Sequence, residues 1–574
     1  MNEIRLEGIA ASDGIAIGPA YCLILPDLTI PCRDPEPFEK EMTRFIIAVE
    51  QARQELQSLE KLLIQRASEK EAEIFRAHQM MLDDPMLVMK VRKTVERGQI
   101  VEQAIISSTD ELSDLLAGMD DELFAARAMD VKDVGKRVLR ILLGQPEMAL
   151  CNMGIPSIIL AHDLTPSDTA NLDPKLTIGF CTAAGGLTSH SAILARTLGI
   201  PAIVALGGDL MKTIPTGTPL VMDGKEGTLI LRPTIATTEK YQRIQQEREE
   251  HLARIKAVSM QPTHTANHRR VEVAANIGDI ASARNAVQNG AEGVGLLRTE
   301  FLYLDEVRPP SEDKQFQIYK KILEVMGQLP VIVRTLDIGG DKPPSYVKFP
   351  REMNPFLGWR AIRISLDQPE LFKTQLRAIL RAAVNHNVRI MLPMVSDLDE
   401  LRRARNFVED AKAELSNENI PYNDHVPIGI MVETPAAAML VDVLSEASDF
   451  FSLGTNDLTQ YTLAVDRGNA AVAGLYQPLH PSVLRLIKQT IDMAHNKGKW
   501  VGMCGELAGM QKAIPILLGM GLDEFSMNPR AIPEAKQLIR HLEDEKASQI
   551  AKKALSLGTA SEIESLMLET LKEL

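Results

Sequence analysis

Two groups of residues in this chain combine side-chain types that can carry out chemistry. In Gly185-Gly186-Leu187-Thr188-Ser189-His190 a pair of glycines precedes a histidine, and Ser191-Ala192-Ile193-Leu194-Ala195-Arg196 reads on as a helix. The glycines permit a tight turn after a strand, and Thr188 or Ser189 is placed to act as N-cap. His190 then falls in the first helical turn, where the positive end of the helix dipole lowers imidazole basicity and keeps the ring largely neutral near pH 7. In-line attack on phosphorus requires such a neutral nitrogen, and free backbone N–H groups at the same place can hold a transferred phosphate. Thr169, in Leu164-Thr165-Pro166-Ser167-Asp168-Thr169-Ala170, is a candidate to hydrogen-bond the ring and orient it.

The second group is spread over the C-terminal half: Arg298, Arg334 and Arg467 with Glu433 and Asp457. Guanidinium forks match the oxygens of phosphate and carboxylate in bidentate geometry. Paired carboxylates at the ends of successive strands can hold Mg²⁺, with water and a substrate phosphate completing the octahedron. A small, doubly anionic ligand is implied. Cys504 follows Gly502-Met503 at the end of another strand-like run and is a candidate proton donor or acceptor.

These residues need a scaffold that brings them together. From residue 262 onward, eight apolar strand-like runs alternate with helical stretches, at 271–277, 293–302, 331–340, 388–395, 428–435, 450–457, 500–506 and 522–528. That rhythm predicts a (β/α)8 TIM barrel over 262–574. Most of the runs end in Asn276, Arg298, Arg334, Glu433, Asn456 with Asp457, Cys504 with Glu506, or Asn528. A barrel gathers all such C-terminal ends on one face, where barrel enzymes do their chemistry.

The first half divides differently. Residues 1–20 and 146–233 hold short β-rich runs bounded by Gly, Pro and Asp, the last with a hairpin turn around Asp223-Gly224, and predict a small α/β domain. Between them, residues 21–145 form an inserted helical bundle: Met42, Phe45, Val49, Ala52, Leu56, Leu59 and Leu63 make one apolar stripe at helical spacing. His78 within it reads as packed or surface-exposed rather than catalytic. Residues 234–261 form a charged helical linker. The fold class is therefore multidomain α/β.

Composition narrows the context. The 574 residues carry a formal charge of −14, which argues against nucleic-acid or anionic-membrane binding and suits a basic protein partner. The N-terminus has no basic stretch before an apolar one, and no run of apolar residues is long enough to span a bilayer, so a cytoplasmic protein without membrane insertion is expected. Five widely spaced cysteines, Cys22, Cys32, Cys151, Cys181 and Cys504, fit reduced thiols.

The motifs resemble those of enzyme I of the bacterial phosphoenolpyruvate-dependent sugar phosphotransferase system, from end to end. The run from Gly185 to Arg196 is similar to the family's phosphohistidine signature. The barrel signatures are resembled by Met431-Val432-Glu433-Thr434-Pro435, by 452–469 and by 502–509. The resemblance implies that His190 is the phosphorylated nucleophile, supported by Thr169, and that Arg298, Arg334, Asn456 and Arg467 bind phosphoenolpyruvate. It further implies that Glu433 and Asp457 ligate Mg²⁺ and that Cys504 protonates the enolate as pyruvate forms. The inserted helices would dock HPr, the small histidine phosphocarrier, the barrel would form a homodimer, and the small α/β domain would swing between its two partners. Leu187 departs from the family pattern, where a basic or polar residue is common, and puts phosphate affinity or partner choice in question. A nitrogen-regulatory homologue and a phosphoenolpyruvate synthase-like enzyme are the alternatives. The chain starts directly at the phosphohistidine domain and shows no glycine-rich ATP loop, which favours the sugar branch.

Overall fold

The computed structural model describes residues 3–23, 28–66, 69–117, 122–145, 153–170, 172–173, 175–186, 190–208, 213–304, 308–339, 346–347, 352–467, 469 and 472–573. At His190 the backbone is described and the side chain is not, and Leu187, Thr188, Ser189 and Cys151 lie outside the described residues. The chain forms two compact units, Met1–Glu249 and Glu250–Leu574.

The first unit contains the predicted bundle and α/β domain. Helices α1 (Phe38–Arg66), α2 (Glu69–Leu82), α3 (Pro85–Glu96), α4 (Val101–Ala117) and α5 (Glu122–Leu142) bury one apolar cluster through Phe45, Leu56, Leu63, Phe75, Val91, Ile105 and Val138. Helix α3 was not expected from the apolar pattern, although Asp84 caps it by accepting from the Met86 N–H and Pro85 opens it. The bundle's first helix is pinned by a buried charge network. Arg33 bonds Glu41 at 2.5 Å and Glu102 at 2.7 Å, and Arg44 bonds Glu102 at 2.6 Å. His78 is wholly buried, edge-on to Phe75, as a packed residue.

Residues 1–22 supply three strands where one was expected: β1 (Ile4–Glu7), β2 (Ile9–Ser12) and β3 (Ile15–Cys22). With β4 (Ser157–Ala161), β5 (Thr177–Thr182), β6 (Ala202–Val204), β7 (Pro219–Asp223) and β8 (Thr228–Leu231) they form one sheet in the order β1-β8-β7-β3-β4-β5-β6-β2. The sheet separates two apolar clusters, one around Ile159, Phe180 and Ala192, the other around Ile158, Cys181 and Met222. The predicted hairpin joins β7 to β8, and Asp223 Oδ1 tightens it by accepting from the N–H groups of Lys225 and Glu226.

In the second unit β9 (Glu272–Ile277), β10 (Val294–Leu297), β11 (Val331–Arg334), β12 (Val388–Leu392), β13 (Ile428–Val432), β14 (Phe451–Leu453), β15 (Val501–Met503) and β16 (Glu524–Met527) close a parallel barrel in chain order. Each strand falls within one predicted run and most are shorter than it, because the polar residues that end the runs leave the ladder to form the rim. Leu296, Ile332, Met391, Met431, Phe450 and Cys504 fill the interior as one apolar column. Helices pack outside by an amphipathic stripe, as Pro369–Ala382 does with Phe372, Leu376, Ile379 and Leu380.

Two residues read as rim groups prove structural. Asn276 donates through Nδ2 to the Cys504 carbonyl at 2.9 Å and the Ser526 carbonyl at 3.3 Å, and its Oδ1 accepts from Ser526 Oγ at 2.7 Å. Asn276 thus ties β9 to β15 and β16 where the barrel closes. Asn528 caps the short turn after β16 by accepting from the Arg530 N–H. Replacing Asn276 by Ala strands buried acceptors and a hydroxyl, so Asn276→Ala should destabilise the barrel by about 3 kcal/mol. Urea unfolding followed by tryptophan emission reads this directly, since Trp359 and Trp500 both lie in the barrel unit.

Candidate active site at the barrel mouth

The C-terminal ends of the barrel strands converge on a cavity of about 440 Å³ lined by Arg298, Arg334, Glu433, Asn456, Asp457, Arg467 and Cys504. All seven barrel residues to which the resemblance assigns a role therefore line one cavity. Arg360, Asp337 and Glu300 also line it and were not singled out.

Each group arrives by a simple route. Arg298 follows β10, Arg334 ends β11, and Glu433 follows β13. Asn456 and Asp457 stand in the first turn of the helix Thr455–Leu463, directly after β14, and Cys504 follows β15. Gly454, between β14 and that helix, has no side chain where Glu433 sits: a Cβ there would lie 2.9 Å from Glu433 Cβ.

The cationic groups differ in how they are held. Arg334 is shared between Glu300 at 3.0 Å and Asp337 at 2.9 Å. Arg360 bonds Asp337 at 3.0 Å, Asp457 at 3.2 Å and the Tyr461 hydroxyl at 3.2 Å. Burial opposes the charge on both, but the surrounding carboxylates outweigh it and hold both guanidinium groups firmly protonated. Burial likewise opposes charge on Asp337, and Arg334, Arg360 and Arg298 outweigh it and hold its carboxyl below the usual range. Arg298 is exposed and makes no ion pair with any described residue, so its fork is open to a ligand. Arg467 stands 3.9 Å from Asp457.

The two acids proposed as metal ligands are buried side by side. Glu433 Oε1 accepts from the Met394 N–H at 2.5 Å, a contact made possible by Met394's left-handed backbone at φ 56°. Burial first, then the charges of Asp457 and Asp337, push Glu433 up to about 8. Asp457 Oδ1 is buried without a hydrogen-bond partner. Asn456 is tied to Glu506, whose backbone N–H donates to Asn456 Oδ1 at 3.0 Å.

Cys504 closes the floor. Ser452 Oγ donates to its sulfur at 3.4 Å, and burial pushes the thiol up to about 11, so it carries its proton at neutral pH.

The histidine side is described through its backbone. Helix α7 begins at His190 (His190–Leu198), and Gly185 takes φ 99°, the left-handed turn expected of it. The short helix α6 (Pro166–Ala170) packs against α7 and carries Thr169, which is buried. Thr169 Oγ1 donates to the Thr165 carbonyl at 2.8 Å, so its oxygen is left to accept from an imidazole N–H.

Comparison with known proteins follows the same division. The family described as "PEP-utilising enzyme, N-terminal" matches residues 7–127, "PEP-utilising enzyme, mobile domain" matches 155–227, and "PEP-utilising enzyme, PEP-binding domain" matches 252–544. A phosphoenolpyruvate-protein phosphotransferase of Bacillus sp. (strain S) is 44% identical, covering 99% of both chains. One of Enterococcus faecalis is 45% identical, covering 100% of both. The NMR structure of an Enzyme I fragment aligns with 42% of this chain and 99% of its own, at 34% identity and a TM-score of 0.39.

The thiol's environment yields a reactivity prediction. Alkylation by iodoacetamide requires the thiolate. Cys504 should therefore react slowly near pH 8 and faster as pH rises toward about 11, while exposed Cys32 serves as the accessible comparison, as peptide mass spectrometry would record.

Proposed function

This chain belongs to the phosphoenolpyruvate-protein phosphotransferase family, and from that premise we propose that it moves the phosphoryl group of phosphoenolpyruvate to His190 and then to the histidine carrier HPr. The observation that carries this reading is the barrel mouth, where open and shared guanidinium groups, two buried acids and a protonated thiol line one cavity.

Phosphoenolpyruvate is a small anion with a phosphate and a carboxylate. Arg298 and Arg467 offer forks to it, while Arg334 and Arg360 contribute fixed positive charge without rearranging. Asn456, held through Glu506, supplies a positioned amide. A divalent metal is used across the family, and Mg²⁺ is the ion we assign to Glu433 and Asp457. The residues fit it: Asp457 Oδ1 is buried without a hydrogen bond, and burial with the charge of Asp457 raises Glu433. Among the described residues no third metal-ligating side chain clusters with them, which suits an ion completed by substrate oxygens and water. Such an ion supplies charge neutralisation for the migrating phosphoryl group.

In the first half-reaction a ring nitrogen of His190 forms a bond to phosphorus as the bridging P–O bond breaks, leaving the enolate of pyruvate. Cys504 delivers its S–H proton to the methylene carbon, completing pyruvate, and water later restores the thiol. Thr169 orients the imidazole. In the second half-reaction the N–P bond is exchanged for one to a histidine of HPr, docked on the inserted helices of 21–145. One imidazole visits two partners, so the α/β domain of 1–20 and 146–233 moves on the 234–261 linker. The barrel of 262–574 forms the homodimer. We place the enzyme in the cytoplasm, at the head of a sugar-uptake phosphotransfer chain. Among the described residues no helix is long and apolar enough to cross a membrane.

Labelled phosphoenolpyruvate with Mg²⁺ should give acid-labile, base-stable label on the protein, and His190→Ala should give none. Arg298→Ala should slow this labelling by about a hundredfold, the loss of roughly 3 kcal/mol of charge-assisted bonding, while back-transfer from phosphorylated HPr to His190 continues at the wild-type rate. Label retained in His190→Ala would refute the assignment.

A further inference from the structure

The opposite, N-terminal end of the barrel carries a second cleft, of about 450 Å³, lined by Arg389, His425, Asp449, Phe450 and Trp500 among others. Arg389 is the second residue of β12, and Phe450 and Trp500 immediately precede β14 and β15, so these groups belong to the floor of the barrel and not to its mouth.

The donors and acceptors here are unequally matched. The Arg389 guanidinium lies 4.8 Å from the centre of the Trp500 ring, and Trp500 stacks on Phe450 with centroids 4.9 Å apart and planes 4° from parallel. That stack fixes the guanidinium without neutralising it. Among the described residues Arg389 makes no hydrogen bond or ion pair. Asp449, the acid of the lining, is already engaged: its Oδ2 accepts from the Ile428 N–H at 2.8 Å and from Arg405 at 3.2 Å. Glu524, deeper in the floor, feels the Arg389 charge without an ion pair to it. Burial first, and then Glu272, push Glu524 up to about 8, so it is neutral at pH 7. His425 is exposed on the lining and its ring nitrogens have no partner among the described residues. A half-buried, aromatic-clamped cation with no ion pair of its own faces a cleft large enough for a small molecule, and its chemistry selects an anion.

We propose that this floor cleft binds a small oxyanion, the carboxylate or phosphate group of a metabolite, at a site separate from the catalytic mouth. Arg389 grips the anion, and His425 flanks it at the rim.

Trp500 reports on the cleft from within. In a Trp359→Phe background it is the remaining tryptophan of the two. Inorganic phosphate and acetate, titrated separately at constant ionic strength, distinguish the phosphate and carboxylate sources. At least one should change Trp500 emission saturably, with a Kd of about 1 mM or tighter. The response should persist in Arg298→Ala, which removes an anion contact from the mouth. It should weaken by about tenfold or more in Arg389→Gln, and also in His425→Asp, where a like charge enters the rim. His425 is exposed, so its substitution does not threaten the fold even if Arg389→Gln cannot be purified. No saturable change with either anion, a response undiminished in His425→Asp, or one abolished by Arg298→Ala would overturn the proposal.

Discussion

Glu433, which burial and then the charges of Asp457 and Asp337 make reluctant to ionise, sets the terms for the whole barrel mouth. Glu433 and Asp457 come from successive strands and lie almost wholly inside the protein. Left alone, such a pair would hold a proton between them or bring in water. Here Arg360 and Arg334 bring positive charge against the acids, Asp337 bridges the two guanidinium groups, and Glu300 holds Arg334 from its other side. The arrangement leaves Asp457 Oδ1 without a hydrogen bond, with Arg467 3.9 Å away, and leaves Glu433 raised. Both point to a divalent cation as the missing partner, because a dication stabilises both ionised acids at once.

The rest of the site follows from that charge balance. Guanidinium groups already held by carboxylates need not reorganise when a phosphate arrives, which is the condition for electrostatic stabilisation of transferring charge. The thiol of Cys504 is kept protonated by burial against the apolar column beneath it. On the other unit a helix begins at His190, and the N–H groups of its first turn have no intrahelical partner.

Much of this was legible in the letters. The eight barrel runs were readable because a parallel, doubly covered strand is apolar throughout and its rim residue is the first polar one. The same rule explains its own errors. Asn276 and Asn528 end their runs as Arg298 and Glu433 do, but amides also tie barrel closure and cap turns, and nothing local separates these uses. Arg360, Asp337 and Glu300 were missed for the opposite reason. Glu300 and Asp337 follow the arginines within the runs 293–302 and 331–340, Arg360 lies outside every run, and only the fold brings Arg360 to Asp457, 97 residues away in sequence. Helix α3 was missed although its signal was present, since Asp84-Pro85 is an N-cap followed by an N1 proline. The three strands within residues 4–22 follow one another almost without a break, and the first two span only four residues each, too few to delimit.

The central claim is that Glu433 and Asp457 are a cation site held in waiting by burial. Calorimetric titration of Mg²⁺ at pH 7, in two buffers of different ionisation enthalpy, tests it most directly. Burial and its acidic neighbours raise Glu433, so it holds a proton more readily than a free carboxyl and must lose it to bind the ion. The account predicts about one proton released per Mg²⁺ bound, and none in Glu433→Gln. Equal heats in both buffers for the wild-type protein would contradict it.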